Sequence, residues 1–86
     1  METKFKVGDK VRVKSLEWYN NQEKDRVGLI HFGIGFTARM SKYCGRILTI
    51  QDIYEDFYIV NESLCNWQDW MLEDEIVAEE KQEVQQ

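Results

Sequence analysis

The first clear pattern is a strict alternation of apolar and charged residues near the start of the chain. Residues 10–14 read Lys-Val-Arg-Val-Lys, with a valine at every second position. Successive side chains of a strand point to opposite faces, so this pattern predicts a half-buried strand in an antiparallel sheet. Gly8 and Asp9 precede it and favour a tight turn, because glycine tolerates positive φ and aspartate hydrogen-bonds to nearby backbone.

A helical period is found in the middle of the chain. Phe36, Met40 and Tyr43 would share one face of about two helical turns. We therefore expect a short helical element near residues 37–43. Gly45 is expected to end it, because glycine has the backbone freedom that a change from helix to strand requires.

Four later segments have the composition of short strands. They are residues 46–53, 57–60, 64–67 and 75–78. The first two are expected to form a hairpin through the turn at residues 55–56, and the last to pair near residues 5–7. A single 3₁₀ turn at residues 70–72 should precede the last strand. With the strand at residue 10, the pattern predicts an all-β fold, a small and partly open barrel of five antiparallel strands.

Residues 15–35 show no clear period and are expected to form a long loop. A loop of this length in a compact domain is functional or mobile. Residues 26–32 could form a short strand, but the glycines in and after them weaken that interpretation. The barrel domain is expected to span residues 1–78, and the polar, acidic residues 79–86 to form a disordered, flexible tail.

The inward positions of these elements give the expected core. Its members are Val7, Val11, Val13, Met40, Ile47 or Leu48, Ile50, Ile59, Trp67, Leu72 and Ile76. The choice between Ile47 and Leu48 stays open, because residues 47–50 do not alternate cleanly and a β-bulge could lie there. Trp70 is interpreted, like Trp67, as a core residue.

Several of these segments together resemble those of one family. They are Gly-Asp-x-Val-x-Val from Gly8, Met-x-Lys-Tyr-x-Gly-Arg from Met40 leading into Thr49-Ile50, the strand with Tyr58, and Trp67 followed by Trp70-Met71-Leu72. In them the chain is similar to the small, uncharacterised SH3-like barrel proteins of bacteriophages and bacterial mobile elements. The resemblance covers residues 5–13 and 36–76. It implies an SH3-like barrel but no particular activity, because such barrels serve peptide, nucleic-acid and scaffold roles alike.

Length and composition limit the class of protein. Eighty-six residues make one domain, and no apolar run approaches the length of about 20 residues that crosses a bilayer. The N-terminus lacks the apolar segment of a signal peptide, so a cytoplasmic protein without membrane contact is expected. Cys44 and Cys65 are interpreted as free thiols, because cytoplasmic chains keep thiols reduced. A single histidine and no paired cysteines predict no metal and no cofactor.

Charge is distributed unevenly along the chain. Residues 1–46 hold ten Lys/Arg and five Asp/Glu, whereas residues 47–86 hold one Lys and eleven Asp/Glu. Basic residues on and near the first strand could form a weak nucleic-acid-binding surface, and the candidates are Lys10, Arg12, Lys14 and Arg46. The calculated pI of about 4.8 opposes this interpretation, since nucleic-acid-binding domains are usually basic.

Exposed aromatic side chains are the favoured candidates for a binding site. Trp18, Tyr19, Tyr54 and Tyr58 could line a groove for an extended ligand, since such rings combine rigid apolar area with a polar tip. No catalytic arrangement of Ser, His, Cys or carboxylates can be placed, so no enzyme is expected.

The sequence thus favours a non-enzymatic interaction module that binds an unidentified protein or peptide and is itself a monomer. A weak nucleic-acid binder is the second hypothesis. A third is a structural adaptor that dimerises through the first strand or through residues 15–35.

Overall fold

One antiparallel sheet organises the chain. The computed structural model describes residues 4–77. Within them the strands are β1 (Lys10–Val13), β2 (Ile47–Tyr54), β3 (Phe57–Val60), β4 (Asn66–Trp67) and β5 (Leu72–Ile76), the α-helix is α1 (Leu16–Asn20), and two 3₁₀ turns span Met40–Tyr43 and Asp69–Met71. The prediction of five antiparallel strands with little helix is confirmed.

The sheet is open. Its strand order is β4-β3-β2-β1-β5, and every neighbouring pair is antiparallel. The two outer strands, β4 and β5, are not paired with each other anywhere in residues 4–77. The hydrogen-bonded sheet is therefore not closed into a barrel within the described residues. Register shifts interrupt β2 against β3 and β1 against β5, and such irregularities bend and twist a sheet.

The short helical element lies close to where the sequence predicts it. It is the 3₁₀ turn Met40–Tyr43, and Thr37 Oγ1 accepts a hydrogen bond of 3.1 Å from the backbone N–H of Met40. Gly45 follows with φ of +81°, a conformation that L side chains rarely adopt, and leads directly into β2. The second 3₁₀ turn, Asp69–Met71, confirms the turn expected before the last strand.

The core lies on one face of the sheet and is completed by residues between β1 and β2. Seven residues of the predicted core are buried: Val11, Val13, Met40, Leu48, Ile50, Trp67 and Leu72. Ile59 is half-buried, and the open choice between Ile47 and Leu48 resolves to Leu48. Buried residues that were not predicted are Phe5, Tyr19, Ile30, Phe36, Tyr58, Val60 and Met71.

The predicted core position of Val7 is wrong. Val7 is 59% exposed, because it lies in the turn that precedes β1, where the Gly8 N–H donates to Ile50 O at 2.8 Å. Phe5 fills the core instead, with its backbone N–H donating to the Tyr58 hydroxyl at 3.1 Å.

The predicted position of the last strand is also wrong. β5 pairs with β1, in the register Val11↔Ile76 and Val13↔Leu72, and not with residues 5–7. The three residues of β5 between these two pairs face a single residue of β1, so β5 is bulged. Ile76 lies at the end of an edge strand and is 54% exposed, which removes it from the core.

Residues 15–35 are more ordered than the predicted long loop. Ser15 caps α1, since its Oγ accepts a 3.0 Å hydrogen bond from the Trp18 N–H. Tyr19 and Ile30 are buried in the core, and Ile30 pairs with Phe36 in an isolated antiparallel bridge. The segment therefore forms a packed lobe on the sheet, here named the α1 lobe (residues 14–36).

Two expectations about the ends of the chain lie outside the described residues. The flexible acidic tail at residues 79–86, and residue 78 of the predicted last strand, are not described by the structure. Among residues 4–77, no helix has the length and apolar character that crossing a membrane would require.

Candidate functional site

A cleft lies where the α1 lobe meets the second 3₁₀ turn. It measures about 280 Å³ and is lined by Lys14, Trp18, Gln22, Ile30, Phe32 and Trp70. We call it the aromatic cleft. Five of the lining residues belong to the α1 lobe, and Trp70 belongs to the second 3₁₀ turn. The cleft therefore forms only when the lobe packs against that turn in the folded domain.

Three aromatic rings form the walls of the aromatic cleft. The rings of Phe32 and Trp70 meet edge to face, with centroids 5.1 Å apart and an interplanar angle of 82°. The rings of Trp18 and Trp70 lie 6.0 Å apart and are tilted by 51°. Both indoles are half-buried, whereas Phe32 is 63% exposed. The cleft therefore presents apolar aromatic surface to solvent.

The floor under these rings is rigid. Phe36 is fully buried, and its ring meets the Trp18 ring edge to face at 5.2 Å. The Phe36 ring also lies 6.3 Å from the Trp70 ring and 6.0 Å from that of Trp67. Packed edge-to-face pairs of this kind stabilise the positions of both partners. The Trp18 and Trp70 walls are thus held by the core itself.

Gln68 fixes the side of the aromatic cleft that carries Trp70. Its buried Oε1 accepts from the Trp70 indole N–H at 2.9 Å and from the Ile34 backbone N–H at 3.0 Å. Its Nε2 donates to Asp56 Oδ2 at 3.0 Å. The amide thereby ties the α1 lobe, the second 3₁₀ turn and the β2–β3 hairpin together.

Gly33 is required by this arrangement. A Cβ at Gly33 would stand 2.2 Å from Gln68 Oε1 and 2.9 Å from Trp70 Nε1, and Gly33 has φ of +54°. Only glycine lets the backbone approach the Gln68 amide this closely.

Hydrogen bonds also hold α1, which carries Trp18. Gln22 Nε2 donates to Trp18 O at 3.1 Å. Lys24 Nζ donates to the carbonyl oxygens of Tyr19, Asn20 and Gln22 at 2.9–3.2 Å, which satisfies acceptors at the end of the helix.

A short loop in the α1 lobe is organised by Asp25. Its Oδ1 accepts 3.0 Å hydrogen bonds from the N–H groups of Val27 and Leu29, and its Oδ2 lies 2.8 Å from His31 Nε2. The Leu29 N–H, followed by His31, holds the pKa of Asp25 below its usual value. This loop leads directly into Ile30 and Phe32 of the cleft.

Two of the four predicted aromatic site residues are core residues. Tyr58 is fully buried and donates its hydroxyl hydrogen bond to Asp69, while Tyr19 is buried and donates to Gly28 O. Neither ring can contact a partner, so these two predictions are wrong. The half-buried Trp18 does line the aromatic cleft.

Tyr54 is exposed, as predicted, but lies elsewhere. It is 53% exposed at the end of β2, with its ring 6.1 Å from that of Phe57 in the β2–β3 hairpin. Sequence reasoning missed Phe32 and assigned Trp70 to the core, although both line the cleft with Trp18. The closely spaced glycines around Phe32 were the only available signal that this segment approaches other backbone closely.

The four predicted basic residues each make a separate contact. Lys10 Nζ lies 3.5 Å from Thr49 Oγ1, and Arg12 donates to Gly45 O at 2.7 Å. The Arg46 guanidinium lies 5.8 Å from the Tyr43 ring centre, and Lys14 belongs to the aromatic cleft.

Carboxylates flank the basic strand on both sides. On the β2 side, Glu62 accepts hydrogen bonds of 2.8 and 3.0 Å from the N–H and hydroxyl of Thr49. On the β5 side, Asp74 forms an ion pair of 2.7 Å with Lys4, and this lysine lowers the pKa of Asp74. A phosphate backbone laid along β1 would meet the carboxylate of Glu62, whereas the charge of Asp74 is paired with Lys4.

The position of β1 also bears on dimerisation. β1 is hydrogen-bonded to β2 on one side and to β5 on the other, so it is an interior strand. Because β1 has no free edge, a dimer could not form by adding a strand to it, and the hypothesis of a dimer through the first strand stays a prediction. Dimerisation through residues 15–35 stays untested.

No group of three or more His, Cys, Asp or Glu side chains is placed to hold an ion within residues 4–77. Cys44 and Cys65 are free and partly buried, as predicted, and burial raises the pKa of the Cys44 thiol.

Comparison with known proteins identifies no relative. No family model matches this chain, and no curated protein or solved structure matches it either. The resemblance to SH3-like barrel proteins of bacteriophages and mobile elements stays a prediction.

Proposed function

We propose that this protein is a non-enzymatic, monomeric and cytoplasmic interaction module that binds an extended peptide segment of another protein in the aromatic cleft. The observation that carries the proposal is the meeting of Trp18, Phe32 and Trp70 around one solvent-accessible cleft. Tryptophan and other aromatic anchors dominate the binding energy of protein interfaces, and pockets lined by them accept apolar side chains.

The exposure of Phe32 supports this site over the other exposed aromatic, Tyr54. Phe32 leaves most of its ring in water although Trp70 lies against one edge. Covering a phenylalanine side chain contributes about 1.5–3 kcal/mol. A ligand that packs on Phe32 gains this term without reorganising the core, because Phe36 and Gln68 already fix the indole walls.

The topology supports an SH3-like interpretation of the fold. Five short antiparallel strands with a 3₁₀ turn before the last one are consistent with that interpretation, whereas the long segment between β1 and β2 departs from it. In this interpretation the aromatic cleft lies between the long segment and the 3₁₀ turn. The proposal itself rests on the three rings and not on this likeness.

Nucleic acid is the weaker candidate. The carboxylate of Glu62 beside β1 opposes a phosphate backbone there, and no feature of residues 4–77 favours that surface over the aromatic cleft.

The experiment is a selection of random 12-residue peptides displayed on phage against the immobilised full-length protein. Enriched peptides are then measured against Phe32→Ala and Trp18→Ala, with Tyr54→Ala as the matched control. Phe32→Ala is expected to weaken binding by about 30-fold, which corresponds to about 2 kcal/mol for the loss of an aromatic anchor. Tyr54→Ala should bind as wild type does. Equal affinity of Phe32→Ala and wild type would contradict the proposal.

A further inference from the structure

A lysine ammonium group that has no ion pair within residues 4–77 lies over the Trp18 ring at the rim of the aromatic cleft. Lys14 Nζ lies 5.5 Å from the Trp18 ring centre, and the Lys14 side chain lines the cleft. Within residues 4–77, no side chain forms a hydrogen bond or an ion pair with Lys14 Nζ. The aliphatic stem is half-buried, which is the usual arrangement of a lysine that covers apolar surface and keeps its ammonium group in water.

The nearby carboxylates do not neutralise this charge. Asp74 is ion-paired with Lys4 at 2.7 Å. Lys14 contributes less than Lys4 does to the lowered pKa of Asp74. Glu17, in the first turn of α1, is exposed and forms no ion pair within the described residues. The rim of the cleft therefore combines apolar rings with an ammonium group that has no ion-pair partner among residues 4–77.

We infer that the ligand of the aromatic cleft is an acidic-apolar peptide, in which an Asp or Glu stands two positions from the anchoring apolar residue. This inference rests on the proposed function. The apolar side chain packs between Phe32 and Trp18, and the carboxylate pairs with Lys14 Nζ. In an extended peptide, side chains two positions apart share a face and stand about 6.6 Å apart, which is close to the 5.5 Å between Nζ and the Trp18 ring centre.

Lys14 acts here as a specificity residue. An ion pair at an exposed rim contributes little affinity, but it sets the direction of the bound peptide and disfavours basic sequences. The rings supply the affinity, whereas the ammonium group chooses among apolar peptides.

The test repeats the displayed 12-residue peptide selection with Lys14→Glu and Lys14→Gln, and with Lys42→Glu as the control. Lys42 is an exposed lysine of the first 3₁₀ turn and receives the same change of charge. Wild type and Lys42→Glu are expected to enrich Asp or Glu two positions from the apolar anchor, and Lys14→Glu to enrich Lys or Arg there. Lys14→Gln should keep the anchor and lose the charge preference. Its affinity for a synthetic wild-type-selected peptide should fall about two- to fivefold at low salt, the usual effect of an exposed ion pair.

The outcomes separate this inference from the proposed function. Peptides that require Phe32 but show no enrichment of Asp or Glu would overturn the inference and leave the proposed function standing. Selected peptides that bind Phe32→Ala as they bind wild type would overturn both. Binding of the single-stranded oligonucleotide dT12 that needs both Phe32 and Lys14 would also overturn both, since the occupant would then be a nucleic acid. The Lys14 substitutions are not expected to unfold the domain, because Lys14 is hydrogen-bonded to other segments through its backbone. Its N–H donates to Met71 O at 3.0 Å and its carbonyl oxygen accepts from the Gly45 N–H at 3.2 Å, and a change of side chain keeps both bonds.

Discussion

The Gln68 side-chain oxygen accepts the indole N–H of Trp70 at 2.9 Å. The same oxygen accepts the backbone N–H of Ile34, so one buried amide sets the distance between the two sides of the aromatic cleft. The geometry of the aromatic cleft and the stability of the domain therefore both depend on the Gln68 amide.

Gln68→Ala is expected to lower the free energy of unfolding by about 1–3 kcal/mol. The substitution leaves the Trp70 indole N–H and the Ile34 N–H without their acceptor, and unpaired buried donors carry a cost of this size. Urea unfolding measures the change. Gln51→Ala, at an exposed position of β2, is the control and should lie within about 0.5 kcal/mol of wild type. If Gln68→Ala lowers the free energy of unfolding as little as Gln51→Ala does, Gln68 does not hold the cleft.

Trp67→Ala is expected to cost about 3–5 kcal/mol, because it removes a fully buried aromatic ring and leaves a cavity. Its indole N–H has no hydrogen-bond partner within residues 4–77, so Trp67→Phe loses packing but no hydrogen bond and should cost clearly less. Thermal unfolding of both variants measures this difference. A Trp67→Ala protein that melts within a few degrees of wild type would contradict the placement of Trp67 in the core.

Gly28→Ala is expected to destabilise the α1 lobe more than Gly45→Ala does. Both glycines have positive φ, but a Cβ at Gly28 would lie 2.8 Å from the Tyr19 hydroxyl, whereas one at Gly45 meets nothing within 4 Å. Gly45→Ala should show only the strain of a left-handed alanine, about 1–2 kcal/mol. Gly28→Ala should cost more and also shift the NMR signal of the neighbouring Trp18 indole. Equal losses of stability in Gly28→Ala and Gly45→Ala would show that the Tyr19 hydroxyl moves away from the new Cβ without cost.

The contribution of Asp25 to stability should depend on pH. The Leu29 N–H and His31 lower the pKa of Asp25 in the folded protein, so its carboxylate stabilises the fold above the unfolded-state value of about 3.9. That contribution is lost as the pH falls through the lower folded-state pKa. Asp25→Asn keeps an acceptor for Leu29 but removes the charge. Its melting temperature should lie below that of wild type at pH 5.5, and the difference should shrink towards pH 2.5.

His31→Gln separates the two causes of this pKa shift. It removes the ion pair and keeps the backbone hydrogen bonds to Asp25. Its melting temperature should therefore lie closer to that of wild type than the melting temperature of Asp25→Asn does, and the difference should again shrink towards pH 2.5. A difference in melting temperature between Asp25→Asn and wild type that stays constant with pH would contradict the assignment of this stabilisation to the Asp25 carboxylate.

Local pattern predicted β1 and the short helical element because the residues that define them are close in sequence. In β1, the alternation of valine with cations leaves only one possible buried face, and Val11 and Val13 are buried. In β3 all four residues are apolar, so the sequence does not say which alternate pair faces inward. The structure buries Tyr58 and Val60, and this removed Tyr58 from the candidate site.

The site was harder to predict than the sheet because its members are distant in sequence. Phe32 and Trp70 are 38 positions apart and meet because Gln68 bonds to both Ile34 and Trp70. A contact between residues so far apart leaves no periodic pattern or motif in the sequence. Trp18 could be proposed from its type alone, but Tyr19 beside it faces the core, and only the direction of α1 separates the two.

The most direct test of the peptide-binding cleft is an NMR titration of the three indole N–H signals with a peptide enriched in the selection. Trp18 and Trp70 line the aromatic cleft, whereas Trp67 is fully buried and serves as an internal reference. The account predicts that the peptide shifts the Trp18 and Trp70 signals, leaves that of Trp67 nearly unchanged, and has no such effect on Phe32→Ala. Binding that leaves the Trp18 and Trp70 signals unmoved would contradict the account.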